Sequence, residues 1–195
     1  MLRKSFYPQI EGRLNKIADF LAKKKITPNQ ITLAGAVLTF FAGWIYASGS
    51  IFLGGLVAAV ASFGDMLDGA LARRLEKTTR FGAFLDSTVD RYADFFLFGG
   101  LALYFAERDY AGWCVIVLGI LLGSFITSYA KARAEGLQIP CNVGAFERAE
   151  RIIILILGSL ITPLLPLALW ILLIGTHATA IYRILHVKNE LKEKA

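Results

Sequence analysis

Apolar residues in this chain come in long runs separated by short breaks of polar, Gly or Pro residues, and each run has helical rather than strand length. The run that follows Thr27 has a complete start signal. Thr27 can cap a helix, Pro28 suits the first helical position, and Gln30 stands where a capping box needs it. That helix is predicted to run to about Ala47, with Ser48-Gly49-Ser50 making the turn. Further helices are predicted over about 51–74, 81–105, 111–134, 146–161 and 166–187, with Pro163 and Pro166 marking the turn between the last two. The first of these, over 51–74, is roughly 36 Å long, enough to span a bilayer and emerge from it. The stretch before Thr27 has another rhythm. Leu2, Phe6, Ile10, Leu14, Ile17 and Leu21 recur at helical steps among Lys and Arg, the pattern of an amphipathic helix lying on a membrane surface, packing on the protein as a lid, or both.

Composition turns these runs into membrane segments. Of 195 residues, 56% are hydrophobic and only 18% charged, where a soluble domain would carry roughly 25% charged residues. The expected fold is therefore an all-α integral membrane protein of one domain over 1–195. It comprises an amphipathic juxtamembrane helix over 1–26, a six-helix transmembrane bundle over 27–188 and a cytoplasmic tail over 189–195. The first 27 residues carry seven Lys/Arg and no unbroken apolar core, so no cleavable signal peptide is expected. Cys114 and Cys141 fall near opposite faces of this layout, which disfavours a disulfide, and they lack zinc-ligand spacing.

Charge sets the orientation. One set of helix ends carries the amino-terminal seven, then Arg73, Arg74, Lys77 and Arg80, then Lys131, Arg133, Arg148 and Arg151, then Lys188, Lys192 and Lys194; the opposite set carries only Arg108. Cytoplasmic loops of membrane proteins are enriched in Lys and Arg, so both termini are expected in the cytoplasm and the protein in the cytoplasmic membrane. The net charge of +6 follows from this asymmetry and from anionic membrane lipids nearby. No soluble basic domain exists for nucleic acid to bind.

Against that apolar background, 65–90 reads Asp-x2-Asp-Gly-x2-Ala-Arg-x8-Gly-x3-Asp-x3-Asp: Asp65, Asp68, Gly69, Ala72, Arg73, Gly82, Asp86 and Asp90. A charged side chain in a membrane helix costs about 3 kcal/mol even on the gentler insertion scales. Four carboxylates so close together need a cation to offset them. Asp65 and Asp68 are three residues apart and Asp86 and Asp90 four apart, so each pair shares a helix face. A short connection joins the two helices, which brings both pairs to similar depth, a turn or two inside the cytoplasmic interface. With one or two Mg²⁺ or Mn²⁺ ions they form an oxygen cage, and one cytoplasm-facing polar cavity is expected around them. Gly69 and Ala72 leave room beside the acids for a ligand or for close helix packing. Asp94, four residues past Asp90, is a partner for Arg91, an interhelical hydrogen-bonding group or a direct participant.

This spacing resembles the complete motif of the CDP-alcohol phosphotransferases at every fixed position, and that family's six transmembrane helices agree with the layout read from the apolar runs. The resemblance implies a Mg²⁺- or Mn²⁺-dependent transfer of a phosphatidyl group from a CDP-lipid to an alcohol, with release of CMP. By the same analogy Asp65, Asp68 and Asp86 hold two metal ions. Asp90 lies near those metals and is the general base. Gly69, Ala72 and Arg73 line the CDP pocket.

The acceptor is read from the remaining cations. Lys131 and Arg133 close the fourth spanning helix, Arg148 and Arg151 open the fifth, and Arg183 stands alone deep in the sixth. Singly, helix-end cations are most often solvated flanks or lipid anchors. Beside a CDP-lipid's diphosphate they point to an acceptor that is itself an anion, best a phosphate monoester held by Arg forks and a Lys. The Tyr129–Glu135 and Glu147–Arg151 segments resemble those of the phosphatidylinositol-phosphate and archaetidylinositol-phosphate synthases, although Ala149 stands where many bacterial members carry Pro. That branch implies inositol 1-phosphate as acceptor, bound at Lys131, Arg148 and Arg183. Glycerol 3-phosphate is the nearest rival within the enzyme class. A cation transporter would need polar residues continuing to the far face, and 56–63 and 95–103 are apolar apart from Ser62 and glycines. Gly119 and Gly123 form a Gly-x-x-x-Gly face suited to contact within one protomer or between two; the resemblance favours a homodimer.

Overall fold

The computed structural model describes residues 2–75 and 79–193, with side chains of the first helix described from Leu14 on. Lys77, Lys194 and the side chains of Leu2, Phe6 and Ile10 lie outside the described residues. The helices are α1 Leu2–Lys23, α2 Pro28–Ala47, α3 Ile51–Arg74, α4 Arg80–Ala106, α5 Ala111–Gly136, α6 Arg148–Leu160 and α7 Leu165–Glu193, with a 3₁₀ turn at Thr162–Leu164.

Local chemistry explains the boundaries. The Thr27 amide donates to Gln30 Oε1 at 2.9 Å and the Gln30 amide to Thr27 Oγ1, completing the capping box that the sequence predicts for α2. Thr79 Oγ1 accepts from the Gly82 amide at 2.9 Å and caps α4 in the same way. α6 is shorter than 146–161 because Glu147 takes the N-cap and Pro163 opens the 3₁₀ turn. α7 runs past residue 187 to Glu193, since Lys188-Asn-Glu-Leu-Lys-Glu contains no breaker and several good helix formers.

Among the described residues, four segments are long and apolar enough to cross a membrane: Pro28–Ala47, Ile51–Arg74, Ala111–Gly136 and Thr162–Lys192. Two of the six expected spans are of another kind. α4 has 27 residues but concentrates Asp86, Asp90, Arg91 and Asp94 between its start and just past its midpoint. α6 has 13 residues, about 20 Å. The outward faces carry large exposed apolar side chains, among them Trp44, Val115 and Ile174, as lipid-facing helices do.

Packing closes the helices into a ring in the order α2, α4, α5, α7, α6, α3 and back to α2. The helices that carry the two carboxylate pairs, consecutive in the chain, thus flank α2. α2 and α4 meet backbone to backbone: a Cβ on Gly100 would stand 2.0 Å from Gly43 O. The described part of α1 lies against α3, with Leu14 and Ala18 buried on Ala70 and Leu71, and Asp19 paired with Arg74. Phe20 remains 59% exposed. The sequence offered a membrane-surface helix or a lid on the protein, and both contacts are available to this one helix.

One end of the ring is sealed. Tyr46, Phe98, Leu101, Ile120, Leu155, Leu169 and Leu172 are fully buried there, and Tyr46 Oη is 2.8 Å from Ser159 Oγ. These residues come from the ends of α2, α4, α5, α6 and α7 nearest the turns at 48–50, 107–110 and 161–164. The opposite ends carry most of the charges. Gly119 and Gly123 serve this bundle internally. Added Cβ atoms would meet Leu173 Cδ1 at 2.9 Å and Thr176 Oγ1 at 2.4 Å, and His177 Nε2 bonds Gly119 O. The Gly-x-x-x-Gly face is therefore covered by α7 within one protomer and carries no argument for a dimer.

Candidate active site

At the open end α3 presents Asp65 and Asp68, and α4 presents Asp86, Asp90 and Asp94. Asp68 is buried and accepts a 2.6 Å hydrogen bond from the Thr32 hydroxyl of α2. One turn along α2, Gly35 makes room for Asp65: a Cβ there would stand 3.2 Å from Asp65 Oδ1. Asp65, Asp68 and Asp86 lie within electrostatic reach of one another, and Asp90 within reach of Asp65 and Asp86. Gly69 is open except for Arg73 Nη1, 3.5 Å from where its Cβ would be, and Ala72 is half-buried beside it. Arg73 itself is exposed.

Arg148, the first residue of α6, reaches into this cluster. Its Nη1 donates to Asp65 Oδ2 and lies 2.8 Å from Asp90 Oδ1. Its Nε stands 3.5 Å from Asp94 Oδ1, outside hydrogen-bonding geometry. Asp94 is fully buried and its other oxygen accepts from the equally buried Arg151 at 3.1 Å. Arg151 Nη1 also donates to Phe146 O at 3.4 Å. Asp94 is thus an interhelical anchor that fixes the start of α6 on α4; Arg91 pairs with Asp90 instead.

The four acids fit Mg²⁺ or Mn²⁺ by donor chemistry, being hard oxygens with more negative charge than Arg148 offsets. They are not a preassembled cage: among the described residues no three His, Cys, Asp or Glu side chains converge as one. The physical reason is that Thr32 holds Asp68 while the guanidinium of Arg148 holds Asp65 and Asp90.

Asp90, Lys131, Arg148, Arg151 and Arg183 line one cavity of about 770 Å³ between α4, α5, α6 and α7. Arg183 is 2% exposed. Its Nε donates to Val143 O at 2.9 Å and its Nη1 to Thr127 O at 2.8 Å. Phe146 N donates to Thr179 Oγ1, so α7 also pins the loop leading into α6. Two of the cations expected at the acceptor are placed differently. Arg151 faces the cavity but is committed to Asp94 and Phe146. Arg133 is exposed and folds back towards Gly136, away from the cavity lining; two residues from Lys131 it is about 200° round the helix. Thr32 and Gly35 contribute to the site without belonging to any motif, and Glu147, which opens the Glu147–Arg151 segment, lines the cavity although it was not among the expected site residues. A second depression of about 490 Å³, lined by Phe40, Trp44, Phe95 and Phe96, lies at the sealed end, away from the carboxylates.

An all-helical bundle with lipid-facing sides, one sealed end and acids and cations around a cavity at the other has the build of an integral membrane enzyme. Residues 25–182 match the family model described as CDP-alcohol phosphatidyltransferase, and the chain belongs to that family. It is 37% identical over 194 residues to the phosphatidylinositol phosphate synthase of Streptomyces avermitilis, covering 92% of this chain and 80% of that one. It is 37% identical over 186 residues to the archaetidylinositol phosphate synthase of Pyrococcus horikoshii, covering 95% and 96%. A crystal structure of the Mycobacterium tuberculosis phosphatidylinositol phosphate synthase with CDP-DAG bound matches with a TM-score of 0.83, at 32% identity over 89% of this chain and 92% of that one. A structure of the same protein with manganese and citrate matches with a TM-score of 0.82, at 32% identity over 89% of this chain and 88% of that one.

Proposed function

We propose that this transferase moves the phosphatidyl or archaetidyl group of a CDP-lipid to inositol 1-phosphate, giving the inositol-phosphate phospholipid and CMP. The observation that carries the reading is that Asp90, Lys131, Arg148 and Arg183 line the same cavity, which brings a proton acceptor and anion-binding groups to one acceptor. Relatives named for inositol-phosphate products support the choice of alcohol.

In this reading Asp65, Asp68, Asp86 and Asp90 would hold divalent metal, Mg²⁺ or Mn²⁺ and two ions by analogy with the family. Metal held by these residues would neutralise the diphosphate and stabilise CMP as the leaving group. Gly69, Ala72 and Arg73 line the donor's CDP moiety, with Gly69 admitting it close to the backbone. Lys131, Arg148 and Arg183 hold the acceptor phosphate and orient the free hydroxyl. Asp90 takes that hydroxyl's proton as its oxygen bonds to the lipid-side phosphorus, and the bond from that phosphorus to the bridging oxygen breaks to release CMP. Arg151 acts through Asp94 to place Arg148. Six membrane-crossing helices, with α4 and α6 completing the set, both termini and the cavity on the cytoplasmic side, and a homodimer complete the proposal. The Lys/Arg asymmetry supports the orientation; the dimer rests on the family alone.

The test is purified protein with Mg²⁺, CDP-diacylglycerol or CDP-archaeol, and labelled inositol 1-phosphate or glycerol 3-phosphate. Inositol-phosphate lipid and stoichiometric CMP are expected. Turnover with glycerol 3-phosphate alone overturns the acceptor assignment while leaving the chemistry intact.

A further inference from the structure

Glu147 is the N-cap of α6, yet its side chain makes no capping hydrogen bond to that helix. Its Oε1 instead lies 3.7 Å from Lys131 Nζ on α5 and 3.6 Å from Arg183 Nη2 on α7. The two cations differ in kind. Arg183 is buried and immobilised, since Nε and Nη1 are both committed to backbone carbonyls, and only Nη2 has no hydrogen-bond partner. Lys131 is a mobile ammonium on a long stem. Between them stands a carboxylate whose side chain is 43% exposed, on a backbone fixed next door by the Phe146–Thr179 hydrogen bond. All three residues line the cavity that holds Asp90. A negative group therefore already occupies the place where two cations converge, held there by two long ion-pair contacts and partly open to solvent.

We infer that Glu147 is a built-in competitor for the acceptor's anion, holding the position between Lys131 and Arg183 until a phosphate monoester displaces it. The inference rests on reading those two cations as the acceptor-phosphate residues. A carboxylate carries one charge, and its two contacts here are longer than hydrogen bonds. A phosphate monoester brings close to two charges and three acceptor oxygens. The exchange thus favours a dianion and disfavours neutral polyols and weak monoanions, which gain too little to dislodge the side chain. Glu147 sets a threshold of selectivity that the cations alone do not provide.

The experiment uses the full chain in detergent or nanodiscs and inorganic phosphate as the probe, with equilibrium binding measured by calorimetry and KM for inositol 1-phosphate measured alongside. Glu147→Gln keeps the shape and removes the charge. It is expected to tighten phosphate binding about three- to tenfold, the scale of removing partly exposed ion pairs, and to lower KM in step. Binding that is unchanged or weaker in Glu147→Gln overturns the inference and makes Glu147 a group that positions the two cations. Lys131→Gln separates the two levels. If it loses phosphate binding while Glu147→Gln does not tighten it, only the competitor role fails. If phosphate binds undiminished in Lys131→Gln, the acceptor reading of these cations fails, and the competitor role with it.

Discussion

Arg148 Nη1 lies 2.8 Å from Asp90 Oδ1 and donates to Asp65 Oδ2 with the same nitrogen. One guanidinium on α6 therefore ties together acids from α3 and α4, helices that α2 holds apart. Replacing it with Ala removes that tie along with an acceptor cation, and kcat/KM is expected to fall about 10²- to 10³-fold, the scale of losing a key charged donor. Arg148→Lys keeps the charge but not the fork and should fall between wild type and Ala. Steady-state kinetics at saturating CDP-lipid read both; equal activity of the Lys variant and wild type would remove the bridging role.

Asp90→Asn should lower kcat by about 10²- to 10⁴-fold, the usual contribution of a positioned base, while CDP-lipid still binds through the residues of α3. CMP release and equilibrium binding of CDP-diacylglycerol give the two readouts. Normal turnover in Asp90→Asn sinks the assignment of the base.

Thr32 reaches the site only through Asp68, at 2.6 Å. Partners behind a ligand typically change metal affinity by 10- to 100-fold. After chelation, the Mn²⁺ concentration for half-maximal activity should therefore rise about tenfold in Thr32→Val and return in Thr32→Ser. An unchanged Mn²⁺ dependence in the Val variant would mean that the hydroxyl does not orient Asp68 for metal.

The contact between Gly43 and Gly100 admits no Cβ without moving backbone. Gly100→Ala should destabilise the fold by about 1–3 kcal/mol, as overpacking does, seen as a lower melting midpoint in detergent. Gly112→Ala, where nothing lies within 4 Å, is the control and should melt like wild type.

Most helix boundaries were legible because they are written in local chemistry: the Thr27–Gln30 capping box, the Ser48-Gly49-Ser50 turn, the prolines at 163 and 166; the start of α6 and the end of α7 carry no such mark and were placed differently. The carboxylates were legible because charge in an apolar run has no cheap explanation. What the sequence hid is long-range. Helical spacing could not say that α2 sits between the two acidic helices, so Thr32 and Gly35 looked like ordinary small residues of a spanning segment. Nor could it sort the cations. Arg133 and Lys131 differ only by the turn of a helix, and Arg151 became a structural residue only once Asp94 was found beneath it. The Gly-x-x-x-Gly face was equally ambiguous until α7 was found packed on it.

The order of helices around the ring divides the labour of the protein. The acids, with the groups proposed to meet the donor, stand on α3 and α4 and lean on α2; the cations proposed to meet the acceptor stand on α5, α6 and α7. Ionic bridges between the halves run through Arg148 to Asp65 and Asp90 and through Arg151 to Asp94. In the proposed reading, substitutions along the second arc can retune which alcohol is accepted while the first arc keeps its chemistry. A scaffold built this way can acquire new lipid headgroups without reinventing the reaction that attaches them.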